Sequence, residues 1–193
     1  MSRLHPYQEL ALSHVLDNPR CALWMEMGLG KTRPTLRAIE ALLDSCDARR
    51  ALVVAPLRVV ATTWPDEIRK WGLRLRIRSL LGPAQKRTTE ANSDDADIYL
   101  INYENLSWLV DAYRESWKWD MVILDESSKM KSREAKRWRS LTRVYDQIDR
   151  LVELTGTPSA NGLIDLWAQI YLLDRGKRLG RSITRFREKW FDS

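Results

Sequence analysis

Residues 51–55, Ala-Leu-Val-Val-Ala, form a continuous apolar run closed by Pro56, and that run constrains the fold more than any other feature. A strand with one wet face alternates polar and apolar positions, whereas an unbroken apolar run is the mark of a strand buried on both faces. Related strand-like runs occur at residues 21–25, 98–101, 121–124 and 151–154, and helical patterns lie between them. Strands alternating with helices predict a parallel sheet covered on both faces. In such sheets ligands gather outside the carboxyl ends of the strands. The polar motifs of this chain sit just after those runs, at residues 26–32, 56–58, 125–126 and 155–158.

The first of these motifs is Glu26-Met27-Gly28-Leu29-Gly30-Lys31-Thr32, a glycine-rich turn that opens a helix. Gly28 and Gly30 can adopt backbone angles closed to other residues, so that successive N–H groups, including those of Met27 and Leu29, can wrap a phosphate. The following helix adds its N-terminal dipole and unpaired N–H groups. Lys31 is placed to reach the β- and γ-phosphates of a nucleotide, and the Thr32 hydroxyl to bind Mg²⁺. Met25 stands where the strict phosphate-loop pattern has its first glycine, and taken alone the segment also suits a tight turn before an amphipathic helix. The third motif narrows the reading. Asp125 at a strand end can hold Mg²⁺, and Glu126 beside it can activate water for attack on a γ-phosphate. That pairing points to hydrolysis, and no guanine-reading Asn-Lys-x-Asp segment occurs.

Further strands and helices complete the pattern. Residues 74–79 alternate arginine with Leu75, Ile77 and Ser79, which predicts a strand with one wet face, and residues 91–97 read as a polar, acidic surface loop. Helices are expected through Leu10, Ala11, Val15 and Leu16, closed by Asn18-Pro19, then from near Lys31 to Asp44-Ser45, toward Trp71, over residues 104–113, after Lys131, and over 164–173 and 183–190. At 193 residues with 44% hydrophobic content, the chain is long enough for one domain with a substantial core. Its net charge of +6 suits an anionic partner, and the cations cluster. One group is Arg133, Lys136, Arg137, Arg139 and Arg143; the other is Arg175, Lys177, Arg178, Arg181, Arg185, Arg187 and Lys189. Each also reads as a solvated helix face. The two cysteines, Cys21 and Cys46, make no metal-binding constellation, so no structural metal is expected. No stretch approaches membrane-spanning length, so no membrane partner is expected either.

In this order the motifs resemble those of superfamily 2 helicases, nearest to the Snf-type DNA translocases that include chromatin remodellers and their prokaryotic and viral relatives. His5-Pro6-Tyr7-Gln8 resembles the Q motif, and residues 26–32 resemble motif I. Val54-Ala55-Pro56-Leu57 with Trp64 and Trp71 resembles motif Ia and its helix. Ile101-Asn102-Tyr103-Glu104 resembles motif Ib, Asp125-Glu126-Ser127-Ser128 motif II, and Leu154-Thr155-Gly156-Thr157-Pro158 motif III, continued by Asn161, Leu166 and Trp167.

The resemblance implies an α/β fold: a three-layer α/β/α RecA-like (P-loop NTPase) domain with a mainly parallel sheet, spanning residues 1–193 as the first, ATP-binding domain. It implies ATP and Mg²⁺ as cofactors, with Gln8 reading adenine and Tyr7 or His5 packing nearby. Gly28, Gly30, Lys31 and Thr32 would hold the triphosphate and metal, Asp125 would be the metal partner, and Glu126 the catalytic base. Pro56, Leu57, Arg58, Asn102, Tyr103 and the helix after Lys131 would face DNA, duplex favoured, while Thr155, Gly156 and Thr157 would couple nucleotide state to DNA contact. The implied activity is that of a DNA-dependent ATPase, a helicase-like double-stranded DNA translocase, in a prokaryotic or virus-infected cytoplasm or a eukaryotic nucleus. The family's second RecA-like domain, with its arginine finger, is absent from these residues and becomes an expected partner in cis or trans. Two rival readings are a non-catalytic ATP- or DNA-binding regulatory module and a strand-separating DNA or RNA helicase. Ser128 departs from the family's usual histidine or aspartate, which leaves coupling between motifs II and III open.

Overall fold

A computed structural model of the chain describes residues 3–130, 132, 135–160 and 162–191. Six strands form one sheet: β1 Arg20–Trp24, β2 Ala51–Ala55, β3 Ile77–Ser79, β4 Ile98–Asn102, β5 Met121–Asp125 and β6 Arg150–Thr155. Their order is β1-β6-β5-β2-β4-β3, and every pairing is parallel, so the mainly parallel sheet is in fact wholly parallel among the described residues. In β2, β4 and β5 every residue is buried, as an unbroken apolar run requires when both faces are covered.

The helices are α1 Pro6–Asp17, α2 Thr32–Asp44, α3 Trp64–Lys70, α4 Ala84–Asn92, α5 Leu106–Tyr113, α6 Lys136–Thr142, α7 Leu166–Asp174 and α8 Ile183–Trp190. Alternate strand residues feed two separate cores, which gives three layers. Ala51, Val53 and Ala55 join α1, α2 and α3 through Val15, Ile39 and Trp64. Leu52 and Val54 join α5, α6 and α7 through Leu109, Trp138 and Trp167 on the other face.

Two sequence expectations are corrected. The strand over residues 74–79 shrinks to Ile77–Ser79; Arg74 and Arg76 before it are exposed beside half-buried Leu75 and Ile77, and Arg76 and Arg78 pair with Asp97 and Asp95. Residues 91–97 are not simply a surface loop: Ala91 and Asn92 form the end of α4, Ala91 and Ala96 are buried, and Asp94, Asp95 and Asp97 all carry ion pairs. Lys131, Arg133 and Asn161 lie outside the described residues. Among those described, no helix is long and apolar enough to cross a membrane, and no group of three His, Cys, Asp or Glu could hold a metal ion.

Candidate functional site

β1 delivers the chain to the phosphate loop beside the end of β6, where the Met25 N–H donates to the Thr155 carbonyl at 3.2 Å. Gly28 and Gly30 have φ of 85° and 65°, the left-handed region that glycine enters without steric cost. A Cβ built on Gly28 would meet nothing within 4 Å, so the loop opens toward free space there. A Cβ on Gly30 would lie 3.0 Å from the Gln8 amide nitrogen. Gly156 is also required by close approach, since a Cβ there would fall 2.9 Å from Met27 Cγ and 3.1 Å from Met27 N. The turn after β6 thus rests directly on the phosphate loop. The Lys31 ammonium donates to the carbonyls of Met25 at 2.9 Å and Glu26 at 3.2 Å, bridging the loop's own backbone.

β5 carries Asp125 and Glu126 to the same rim. Asp125 is buried, and its Oδ2 accepts a 2.9 Å hydrogen bond from the indole N–H of Trp64 on α3. Its Oδ1 accepts from the Glu126 N–H at 3.1 Å, and its carbonyl accepts from the Tyr103 hydroxyl at 2.8 Å. Burial pushes the Asp125 carboxyl above its ordinary value, and the Trp64 hydrogen bond pulls in the opposite direction. Burial likewise pushes the Tyr103 phenol well up, with the nearby Asp125 charge adding to it. Glu126 has φ 59°, a left-handed conformation that costs a side-chained residue roughly 1–2 kcal/mol. Strain of this kind persists only where the surroundings over-determine it.

These elements enclose a cleft of about 550 Å³, lined by His5, Tyr7, Gln8, residues 27–33, Val59, Thr63, Glu67, Lys70, Trp71, Asp125 and Glu126. The expected nucleotide residues Gln8, Met27, Gly28, Leu29, Gly30, Lys31 and Thr32 are therefore brought together with Asp125 and Glu126. Gln8 is buried; its Oε1 accepts from the His5 N–H at 3.1 Å, and its Nε2 donates to the carbonyls of Leu29 and Gly30, each at 3.4 Å. The His5 and Tyr7 rings stack, with centroids 5.5 Å apart and planes 4° from parallel. Also lining the cleft, the Arg33 guanidinium lies 3.6 Å over the Trp71 ring, whose N–H donates to Glu67 at 2.6 Å. The α3 wall, with Glu67, Lys70 and Trp71, was not anticipated as part of a site. Its sequence signals were the resemblance of Trp64 and Trp71 to the motif Ia helix and the helical spacing of Trp64, Ile68 and Trp71, which reads equally as core.

A triphosphate with Mg²⁺ suits this chemistry. The Gly28 side of the loop is open, Thr32 begins the 13-residue helix α2 at the cleft, and a buried carboxylate stands opposite. Along the same rim, Leu57 and Arg58 are exposed after β2, as a surface contact would require. Tyr103, expected to face DNA, is buried, and its hydroxyl donates to the Asp125 carbonyl. Asn102 is also buried, bonded to Glu104 at 2.6 Å and Asn105 at 2.7 Å. Thr155 is buried and accepts from the Thr157 N–H at 3.1 Å, which closes the turn after β6. Of the basic clusters, Arg143 pairs with Asp111, Arg175 with Asp146 and Arg178 with Asp174.

A wholly parallel sheet with a glycine phosphate loop, an Asp-Glu strand end and a bonded turn after β6 on one rim defines a RecA-like phosphate-loop domain. The chain belongs to the SNF2-related domain family, whose model matches residues 9–191. It is 42% identical to protein p41 of Acyrthosiphon pisum secondary endosymbiont phage 1 over 96% of this chain and 42% of that protein. It is 29% identical to the human DNA excision repair protein ERCC-6-like over 85% of this chain and 14% of that one. The Sulfolobus solfataricus SWI2/SNF2 ATPase core, solved in complex with dsDNA, superposes with a TM-score of 0.82 at 27% identity, over 97% of this chain and 39% of that one. The chain thus spans less than half the length of each of these relatives.

Proposed function

We propose that this chain is the ATP-binding half of a DNA-dependent ATPase, a helicase-like translocase on double-stranded DNA. The observation that carries the proposal is the convergence of the phosphate loop, Asp125, Glu126 and Gln8 on one cleft. In this reading the N–H groups of residues 27–32 hold the phosphates, and Lys31 turns from the Met25 and Glu26 carbonyls toward the γ-phosphate. Thr32 and Asp125 would hold Mg²⁺, which when bound neutralises charge on the β- and γ-phosphates. Glu126 accepts the proton of the attacking water, and its strained backbone aims the carboxylate. Gln8 reads adenine from beside the His5–Tyr7 stack, and the Trp71–Arg33 pair lines the same cleft.

Pro56, Leu57 and Arg58 approach a DNA phosphate, and Thr155, Gly156 and Thr157 relay nucleotide state to that contact. A second RecA-like domain, in cis or trans, supplies the arginine that completes the site. Such a finger is worth roughly 10³–10⁵ in rate, so residues 1–193 alone are expected to turn over slowly. The test is steady-state hydrolysis of ATP with duplex DNA, single strands, RNA and no nucleic acid, using the chain alone and with its partner domain. Stimulation by duplex DNA supports the proposal. Loss of ATP binding, or turnover indifferent to every nucleic acid when the partner domain is present, overturns it.

A further inference from the structure

Gln169 is a fully buried polar residue in α7, whose other buried positions include Trp167, Ala168, Leu172 and Leu173. A side chain that only filled this space would need no amide. Its Oε1 accepts a 3.0 Å hydrogen bond from the Ser127 hydroxyl, itself fully buried, in the residue directly after Glu126. Its Nε2 donates to the Pro158 carbonyl at 2.6 Å and the Asp165 carbonyl at 3.1 Å. One amide therefore joins the loop after β5, the turn after β6 and the start of α7.

We propose that Gln169 is the positioning residue that holds Glu126 in its left-handed conformation, through Ser127, and ties that conformation to the turn after β6. The inference deepens the reading of Glu126 as base and rests on it for the kinetic test only. Glu126 is anchored on its amino side, where Trp64 and Tyr103 fix Asp125. On its carboxyl side the side-chain anchor among the described residues is the Ser127–Gln169 bond, and the Glu126 carbonyl accepts only a local turn bond from the Lys129 N–H at 2.9 Å. Losing the Gln169 amide leaves a buried hydroxyl without an acceptor, a condition that native proteins relieve by moving the chain toward a new partner, and losing the Ser127 hydroxyl removes the tie itself. A loop free to move relaxes Glu126 out of the left-handed region, and its carboxylate leaves its position. Pro158 holds the other end of the clip, so displacement of residues 155–158 reaches the base by the same route.

The test compares wild type with Ser127→Ala, Gln169→Leu and the double variant, in the protein together with its partner domain. Each single variant is expected to lower kcat about tenfold, the scale of one buried hydrogen bond, with KM for ATP held within about twofold. The double variant is expected to lose no more than Gln169→Leu alone, because the Ser127–Gln169 bond is already gone in that variant. Hydrogen exchange without nucleotide supplies a readout independent of turnover: amides of residues 126–130 should exchange faster in both variants while β2 stays protected. Unchanged kcat in both singles, losses that multiply, or exchange at residues 126–130 equal to wild type would overturn the proposal. If Gln169→Leu fails to fold, Ser127→Ala decides, since it removes one oxygen and leaves α7 intact. If wild type shows no hydrolysis at all, the proposed function has failed, and the exchange arm still decides this inference.

Discussion

Trp64→Phe isolates one hydrogen bond at the metal carboxylate. The substitution keeps an aromatic ring in a fully buried position and deletes the N–H that donates to Asp125 Oδ2 at 2.9 Å. A hydrogen bond to a charged acceptor contributes about 1.5–3 kcal/mol, roughly double a neutral one. At about 1.36 kcal/mol per tenfold in rate, its loss corresponds to roughly 10- to 150-fold in kcat/KM for Mg-ATP. The lower end applies if water replaces the indole, and the upper end if the buried carboxylate is left with only the Glu126 N–H. Lost packing is a competing cause, and Ile68→Val on the same helix controls for it. Ile68 is buried in the same core but makes no polar contact with Asp125, and its truncation costs about 0.5–1.5 kcal/mol of stability. Steady-state kinetics across a Mg²⁺ titration, with thermal melts of each variant, make the comparison. Folded Trp64→Phe working within about threefold of wild type, or Ile68→Val losing equal activity, would refute a positioning role for the indole.

Three other outcomes are expected. Glu126→Gln should bind ATP normally and lose about 10²–10⁴ in hydrolysis, whereas Lys31→Ala should weaken binding itself; nucleotide titration beside single-turnover kinetics separates them. On the proposed function, in which the amide reads the base, Gln8→Ala should reduce ATP affinity and narrow its margin over GTP, and it also removes the brace on the Leu29 and Gly30 carbonyls; competition titration measures the margin. Glu153 is fully buried with neither carboxylate oxygen hydrogen-bonded, and burial raises its carboxyl well above the ordinary 4.5. The folded state therefore binds more protons than the unfolded one above that value, so this group makes stability fall as pH rises through 4.5 and onward to its folded pKa. Glu153→Leu should flatten that slope and stabilise the protein by about 1–3 kcal/mol at neutral pH, which urea denaturation at several pH values would show.

The sheet and the rim motifs were legible in the sequence because their signals are local. An unbroken apolar run marks a strand with two covered faces, and the paired glycines before Lys31-Thr32 read as a phosphate loop once Asp125-Glu126 follows at another strand end. The brace around the carboxylates was not legible. Trp64 lies 61 positions from Asp125 and Gln169 lies 42 positions from Ser127, and helical spacing tells which face each occupies without telling which atom its polar end meets. Tyr103 shows the same limit from the other side: the motif placed it at the rim, but only packing decides that its hydroxyl turns inward to Asp125. α4 escaped notice because its sequence, Ala-Gln-Lys-Arg-Thr-Thr-Glu-Ala-Asn, has almost no apolar stripe and buries only Ala91.

On the proposed function, those bonds explain why the DNA-facing rim and the hydrolytic corner need not touch to be coupled. Pro56, Leu57 and Arg58 lead through a wide π turn at Val59–Thr63 into α3, where Trp64 grips the Asp125 carboxylate. Asn102 leads into Tyr103, which grips the Asp125 carbonyl. Thr155–Pro158 ends on the Gln169 clip, which grips Ser127. Each expected contact segment is thus joined to the residues at or flanking Glu126 through a single buried side chain. Glu126 is the one residue of that corner in a strained conformation, and a strained residue responds most to small shifts of its anchors. A rim displaced by DNA would therefore register first in the aim of the base, with the phosphate loop, which rests on Gly156, left to hold the nucleotide.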